Sequence, residues 1–392
     1  MNLARNVGAA GKAAAVLWIM IFVAVSARVA IQPHRNDVFP TYRAAGEHWL
    51  NSQPLYEGAM GFVYSPPIGA ALTPFAFLPQ LAGDIFWRFV SVVALLLALA
   101  WWHHAQLPPR AGWPVVLVLL AIFALGNVND GQANLLLASA LLGTIAAVKE
   151  TRWMAAAMLL AFAAWLKVYP LALGLCLLLV YPRQLAGPLL LWLLIFGLST
   201  FVLQHPGYVL AQYHSWISTR AADNRLHWAA VNAPQDLWRL LRPFGLSETT
   251  YRCIQLASAA VVAAVTLHGR VQKWPANRLL VSIFTLSSAW MVLCGPATES
   301  ATYVLLAPAI IFAVVQAFRS ETPRSMQLWI LLVLICELLA LAIISFTPWR
   351  HSPIVLVQPF GALLFFVYGL VWAESRGGWK VATVEQTQPD DQ

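Results

Sequence analysis

Long apolar runs, separated by charged residues or by Pro and Gly, recur along almost the whole chain. A helix needs about 20 mainly apolar residues to cross a bilayer, and several of these runs approach that length. Hydrophobic residues make up 60% of the chain and charged residues only 10%, against roughly 25% charged residues in soluble domains. The pattern predicts an all-α polytopic membrane protein with about twelve transmembrane helices, over residues 13–31, 84–102, 111–126, 132–148, 152–167, 168–182, 186–203, 251–267, 278–294, 302–318, 327–346 and 354–372.

Two apolar stretches need a separate interpretation. The first run follows Arg5 and Lys12 as a secretory signal would, but its near-spanning length favours a retained first helix. Residues 66–79 are interrupted by Pro74 and Pro79, and they are too short to cross. We therefore expect a juxtamembrane or re-entrant helix there.

Basic residues indicate the orientation in the membrane. With a cytoplasmic N-terminus, every expected cytoplasmic segment carries Lys or Arg, as the positive-inside rule requires. This orientation accounts for the net charge of +8 better than a nucleic-acid partner, which we do not expect. It predicts one integral-membrane domain over residues 1–373, a disordered cytoplasmic tail over 374–392, and two long outer segments, residues 32–83 and 204–250.

Polar residues concentrate on the predicted outer side, in four clusters. They cover residues 35–43 with 54–67, residues 127–134, residues 167–170 and residues 294–303. The second outer segment also carries Arg220, Arg225, Arg239 and Arg242, although outer segments are normally poor in arginine. Either the segment is threaded differently or these arginines bind an anionic ligand, and we favour the ligand.

The four clusters, taken in order, resemble glycosyltransferase family 87. The matching motifs are Asp37 with Tyr42, Pro54-Leu55-Tyr56 followed by Tyr64-Ser65-Pro66-Pro67, Gly131-Gln132 with Asn134, Lys167-Val168-Tyr169-Pro170, and the turn from Pro296 to Tyr303. Many relatives carry Ser-Trp-His in that last turn, where this chain has Thr298-Glu299-Ser300, so the sugar and the acceptor stay open.

The resemblance implies a GT-C bundle that transfers a sugar, typically mannose, from a polyprenyl-phosphate donor to a glycolipid or glycan acceptor. We expect an inverting enzyme in the cell (inner) membrane, among membrane lipids, with its active site on the periplasmic or extracellular face, where the polar residues concentrate. The resemblance implies no cofactor, and we expect no metal, since no DxD motif occurs on the predicted outer side and the chain has no HExxH. The resemblance also places Tyr42 and Tyr64 at the substrate.

Removing a sugar from a lipid phosphate requires a base for the acceptor hydroxyl. Asp37 follows the first helix directly, so its position is anchored, and the resemblance implies the same role. The alternative is a solvated loop carboxylate or a helix N-cap.

The departing phosphate requires a cation. Lys167 interrupts two apolar runs, where an ammonium is unfavourable unless it meets an anion, although an interfacial lysine is the alternative. Arg220 and Arg225 are the next candidates for the phosphate, or else part of a solvated basic face. Gln132, Asn134 and Glu299 are candidates for hydrogen bonds to sugar hydroxyls, although turn residues between helices need no function.

Two other functions remain open from the residues alone. A transporter or lipid flippase would also need many helices and a few buried charges, but we find no internal repeat in the chain. A noncatalytic assembly scaffold would not explain why the polar motifs gather on one side.

Overall fold

A computed structural model describes residues 8–33, 35, 37–57, 61–109, 111–223, 225–228, 234–296, 298–319, 321–346 and 352–375. Within these ranges the chain forms helices and no strands, which confirms the all-α prediction. The tail expected over 374–392 lies outside the described residues from 376 onward. The helices are α1 (Ala9–Ile31), α2 (Phe39–Leu50), α3 (Pro66–Ala71), α4 (Thr73–Ala76), α5 (Gln80–His104), α6 (Trp113–Asp130), α7 (Asn134–Lys149), α8 (Trp153–Leu166), α9 (Leu171–Val180), α10 (Pro182–Leu203), α11 (Pro206–Ala222), α12 (Leu237–Leu241), α13 (Glu248–Val271), α14 (Ala276–Cys294), α15 (Ala307–Ala317), α16 (Arg324–Phe346) and α17 (Val357–Glu374).

The described part of the chain contains eight helices that are long and apolar enough to cross a membrane, namely α1, α5, α6, α10, α13, α14, α16 and α17. The protein is therefore a polytopic membrane protein. Four shorter apolar helices, α7, α8, α9 and α15, fall on the other four expected spans. Because these four are shorter than a membrane span, the count of twelve crossings stays a prediction.

Burial divides the helices into a centre and a rim. α7 and α14 are buried over most of their length, and α7 packs between α5 and α8. In contrast, α1, α10 and α13 leave large apolar side chains exposed, such as Val202 at 88% and Leu256 at 72%. In a membrane protein such faces contact lipid, so α7 and α14 form the core of the bundle.

The first outer segment folds into α2, α3 and α4. Proline lies at the start of each helix, where its missing N–H is not needed, and α3 and α4 are too short to cross, as predicted. A Cβ on Gly46 of α2 would lie 2.5 Å from the carbonyl oxygen of Leu72, so only glycine lets α2 approach the chain between α3 and α4 this closely.

The second outer segment is held against the first. It contains α11, a 17-residue helix that begins at Pro206, and the short α12. The Tyr208 hydroxyl donates to the carbonyl of Gln53 (2.8 Å), and the backbone N–H of Leu55 donates to Gln212 Oε1 (2.9 Å). These bonds join two parts of the chain that are more than 150 residues apart, and both segments contribute to the cavity described next.

Candidate active site

A cavity of about 640 Å³ lies between the two outer segments and the adjoining ends of α8 and α14. Six of the nine expected site residues line it: Tyr42, Tyr64, Gln132, Lys167, Arg220 and Glu299. The fold therefore gathers residues from five separate stretches of sequence at one place.

Tyr42 and Tyr64 form one wall of the cavity as a hydrogen-bonded pair. Their hydroxyl oxygens are 2.9 Å apart, and the N–H of Ala133 donates to the Tyr42 oxygen (3.3 Å). The Tyr42 ring also packs edge-on against Trp87, with ring centroids 5.0 Å apart. Burial raises the pKa of Tyr42 well above its usual value and raises the pKa of Tyr64 to about 12. Both side chains are therefore neutral hydroxyls at physiological pH, suited to hydrogen bonding.

Lys167 begins the break between α8 and α9. Its backbone is extended (φ −148°, ψ 141°), and its Nζ donates to Asn134 Oδ1 at 2.8 Å. The same Nζ lies 5.8 Å from the ring centroid of Tyr169. Asn134 is only 2% exposed and does not line the cavity. It therefore holds Lys167 through this hydrogen bond without contacting the cavity itself.

Arg220 reaches the cavity from the last turn of α11. It pairs with Asp223 (3.1 Å), which also lines the cavity, and its side chain is 32% exposed. The backbone of Arg225 begins a short 3₁₀ turn, but its side chain lies outside what the structure describes. Arg220 therefore brings a guanidinium to the same space as Lys167.

Glu299 and Gln132 reach the cavity from two turns. Glu299 is exposed and precedes the 3₁₀ turn Ser300–Leu305, where its backbone N–H donates to Thr302 Oγ1 (3.2 Å) in a capping box. Gln132 lies in the α6–α7 turn, and its backbone N–H donates to the carbonyl of Asn127 (3.0 Å). Both turns are fixed by local hydrogen bonds, so these side chains are presented from rigid positions.

Asp37 lies behind the cavity wall and is not one of the lining residues. Its side chain is 2% exposed, and its Oδ1 accepts from Arg88 Nη2 (3.1 Å) and from the N–H of Phe39 (3.1 Å). Its Oδ2 is buried and has no hydrogen-bond partner among the described residues. The next residue, Val38, does line the cavity, so Asp37 adjoins the cavity wall in sequence.

Arg88, which the sequence analysis did not single out, holds Asp37 in place. It is 1% exposed, forms a second ion pair with Asp84, and donates to the carbonyls of Val128 (2.8 Å) and Asn129 (3.0 Å). An arginine inside an apolar run, four residues after an aspartate, is the available sequence signal for such a pair.

Asp236 is a second residue that the sequence analysis missed. It lines the cavity at 4% exposure, and its Oδ1 caps α12 by accepting from the N–H of Arg239 (3.2 Å). Burial raises the pKa of Asp236 to about 7. An aspartate directly before Leu-Trp-Arg is a recognisable N-cap signal, but only the fold shows that it faces the cavity.

A second space of about 430 Å³ continues from the cavity along α9, α13 and α14. Apolar residues form nearly all of its wall, including Leu175 on α9 and Ala260 on α13. The two spaces share five lining residues: Val168, Tyr169, Cys294, Gly295 and Pro296. The cavity, which contains the charged side chains, therefore adjoins a groove with an almost entirely apolar wall. We call this second space the apolar groove.

The described residues contain no group of three or more His, Cys, Asp or Glu side chains that could hold a metal ion. The polar lining groups are hydroxyls, amides, three carboxylates and three cations, namely Lys167, Arg220 and Arg252, which suit a polyhydroxylated and anionic ligand.

Comparison with known proteins gives one family. The sequence profile of glycosyltransferase family 87 matches residues 62–296, which is more than half of the chain. The matched region contains Tyr64, Gln132, Lys167 and Arg220, while Asp37 and Glu299 lie outside it. No curated protein gives a significant match. The chain belongs to glycosyltransferase family 87.

Proposed function

We propose that this membrane glycosyltransferase takes its sugar, most simply mannose, from a polyprenyl-phosphate donor and transfers it to a lipid or glycan acceptor. The reaction is proposed to occur on the periplasmic or extracellular face, with inversion at the anomeric carbon. The observation that carries this proposal is that the cavity with its charged side chains adjoins the apolar groove and shares five lining residues with it.

The groove supports a donor that carries its phosphate on a long apolar chain. Lys167 lies on the cavity side, and the next two residues, Val168 and Tyr169, line both spaces. A phosphate at the Lys167 ammonium would therefore have its first isoprene units at the mouth of the groove. A nucleotide sugar would leave this apolar surface without an occupant.

The cavity wall supplies cations for the leaving group. Lys167 and Arg220 line the same cavity, and charge-assisted contacts to phosphate oxygens strengthen as negative charge develops on them. We propose that both act on the donor phosphate, with Tyr42, Tyr64, Gln132 and Glu299 hydrogen-bonding the sugar and acceptor hydroxyls.

Asp37 is the proposed base. In a single displacement, the acceptor oxygen forms a bond to the anomeric carbon while the bond from that carbon to the phosphate oxygen breaks. The electron pair leaves with polyprenyl phosphate, and the acceptor proton goes to Asp37 Oδ2. Arg88 and the Phe39 N–H occupy only Oδ1, which supports Oδ2 as the proton-accepting atom.

The test uses purified protein with radiolabelled polyprenyl-phosphate mannose, other polyprenyl-phosphate sugars, and a nucleotide sugar, each with a membrane glycolipid extract. We expect a labelled glycolipid from the polyprenyl donors and none from the nucleotide sugar. Transfer from the nucleotide sugar alone would overturn the donor assignment. Movement of the donor across proteoliposomes without any transfer would favour the flippase.

A further inference from the structure

We propose that Asn127 is a positioning residue that orients Lys167 towards the donor phosphate and ties it to the turn that carries Glu299. This inference rests on the proposed role of Lys167 and adds a residue that does not itself line the cavity. Asn127 lies in the last turn of α6 and is 2% exposed.

Three side chains form a continuous chain of hydrogen bonds behind the cavity wall. Lys167 Nζ donates to Asn134 Oδ1 (2.8 Å), and Asn134 Nδ2 donates to Asn127 Oδ1 (3.2 Å). Asn127 Nδ2 then donates to the carbonyl of Ala301 (2.9 Å). Ala301 belongs to the 3₁₀ turn that follows Glu299, so the chain connects α8, α7, α6 and that turn.

The chemistry of the two ends fixes the direction of every bond in the chain. An ammonium can only donate, so it must meet the oxygen of the Asn134 amide and not its nitrogen. The Asn134 nitrogen then points to Asn127, which must present its own oxygen. The Asn127 nitrogen is left to meet an acceptor, and the backbone carbonyl of Ala301 can only accept. Neither amide can flip without placing two donors or two acceptors together.

The backbone of Asn127 contributes separately. Its carbonyl accepts from the N–H of Gly131 and from the N–H of Gln132 (3.0 Å), which closes the α6–α7 turn. Replacing the Asn127 side chain leaves these backbone bonds in place. A side-chain variant therefore tests the amide chain without removing the turn that presents Gln132.

Loss of the Asn127 amide should act through Lys167. Asn134 would lose the partner that fixes its orientation, and its oxygen would no longer be held towards the ammonium. Ordering Lys167 would then have to occur when the phosphate binds, which weakens donor binding. The rate of the chemical step should change less, because Asn127 does not line the cavity where the reacting groups would lie.

The experiment is a double-mutant cycle on the full-length protein in detergent, with Asn127→Leu, Lys167→Met and both together. We expect Asn127→Leu to raise the donor KM by about tenfold with a smaller change in kcat, an effect of the size that loss of one buried hydrogen bond produces. In the Lys167→Met background the same change should have no further effect on KM. Binding of undecaprenyl phosphate, measured by tryptophan fluorescence, gives the same comparison without catalysis.

Asn277→Leu is the matched control. Asn277 is a buried asparagine on α14 whose Nδ2 also donates to a backbone carbonyl, that of Gln106 (3.1 Å), and neither residue lines the cavity. It should leave donor KM unchanged. If Asn127→Leu does not fold, Asn127→Ala removes the same bonds with a smaller change in shape.

Equal effects of Asn127→Leu with and without Lys167 would show a purely structural role and overturn the inference. An unchanged KM would also overturn it. If Lys167→Met raises KM while Asn127→Leu does not, only the amide chain is wrong and the donor site stands. If the wild-type protein transfers no sugar from a polyprenyl donor, the proposed function itself fails.

Discussion

Asp37 is held by one carboxylate oxygen only, and this geometry makes its proposed role testable. Asp37→Asn keeps an oxygen for Arg88 and for the Phe39 N–H but removes the proton-accepting carboxylate. We expect the transfer rate to fall by about 100-fold or more while donor affinity survives. The measurement is a pair in one detergent, the transfer rate and the polyprenyl-phosphate-sugar affinity.

Asp84→Asn is the control, since it removes the other carboxylate that pairs with Arg88 and should lower the rate far less. Near-normal transfer by Asp37→Asn would remove Asp37 from the mechanism. The exposed Glu299 would then be the next carboxylate to test, by Glu299→Gln.

Asp236 predicts a specific pH dependence. Burial raises its pKa from the ordinary 3.8 to about 7, so the folded protein binds this proton more tightly than the unfolded chain does. The stabilising contribution is complete below the unfolded pKa, and it is lost as pH rises through the folded pKa. Asp236→Asn keeps an oxygen for the α12 cap and does not ionise. The thermal midpoint of this variant, relative to wild type, should therefore increase between pH 5 and pH 8; a constant difference would contradict this.

Single residues show where sequence reasoning ends. Lys167 and Tyr42 sit in recognisable motifs, so the candidate list reached the cavity wall. Arg88 and Asn127 are absent from that list because their partners lie far away in sequence. Arg88 meets Asp37 across 51 residues, and Asn127 meets Ala301 across 174. No local pattern encodes such pairings without the fold.

Among the elements, α13 offers the clearest test of the apolar groove. Ala260 lines the groove and leaves room for a chain, and tryptophan at this position would fill it. Ala260→Trp should lower transfer at limiting long-chain donor by about tenfold, because buried isoprene contacts are lost. Transfer from a donor with only two isoprene units should be unchanged, since such a chain ends near the groove mouth.

Leu256→Trp, one turn earlier on α13, provides the matched control. Leu256 is 72% exposed and does not line the groove, so the added bulk enters lipid. The assay compares initial rates with both donors for both variants. Equal loss with long and short donors in Ala260→Trp would indicate general damage and reject the groove as the chain site.

The elements also show what the apolar pattern encodes. The spans longer than 17 residues follow from the length of the apolar runs. The short helices α3 and α4 follow from proline, which lacks the N–H that a helix interior needs. The position of α11 and α12 over the cavity does not follow from the length of any apolar run. These helices are placed by tertiary bonds, such as Tyr303 Oη to the Gln235 carbonyl (2.8 Å), which run length does not report.

For the whole molecule, the predicted orientation assigns the cavity to the non-cytoplasmic side. Glu299 is exposed at the cavity and Lys273 is exposed in the α13–α14 turn. In a background with all four cysteines replaced, Glu299→Cys should react with an impermeant thiol reagent in intact cells. Lys273→Cys should react only after the cells are opened. Labelling of position 273 alone in intact cells would show that the orientation is opposite to the predicted one.

The short helices around Lys167 also set the depth at which the sugar would move. α8 has 14 residues and α9 has 10, so they measure about 21 Å and 15 Å, against a hydrocarbon thickness of about 30 Å. Their far ends carry Arg152 and Tyr181, residues that suit the membrane–water interface. With both far ends at the cytoplasmic interface, as the predicted orientation has them, the break at Lys167 would lie below the opposite headgroup layer. A lipid phosphate would have to descend from the headgroups to reach it. Once there, the phosphate would depend on the Lys167 ammonium, and not on the headgroup layer, to balance its charge.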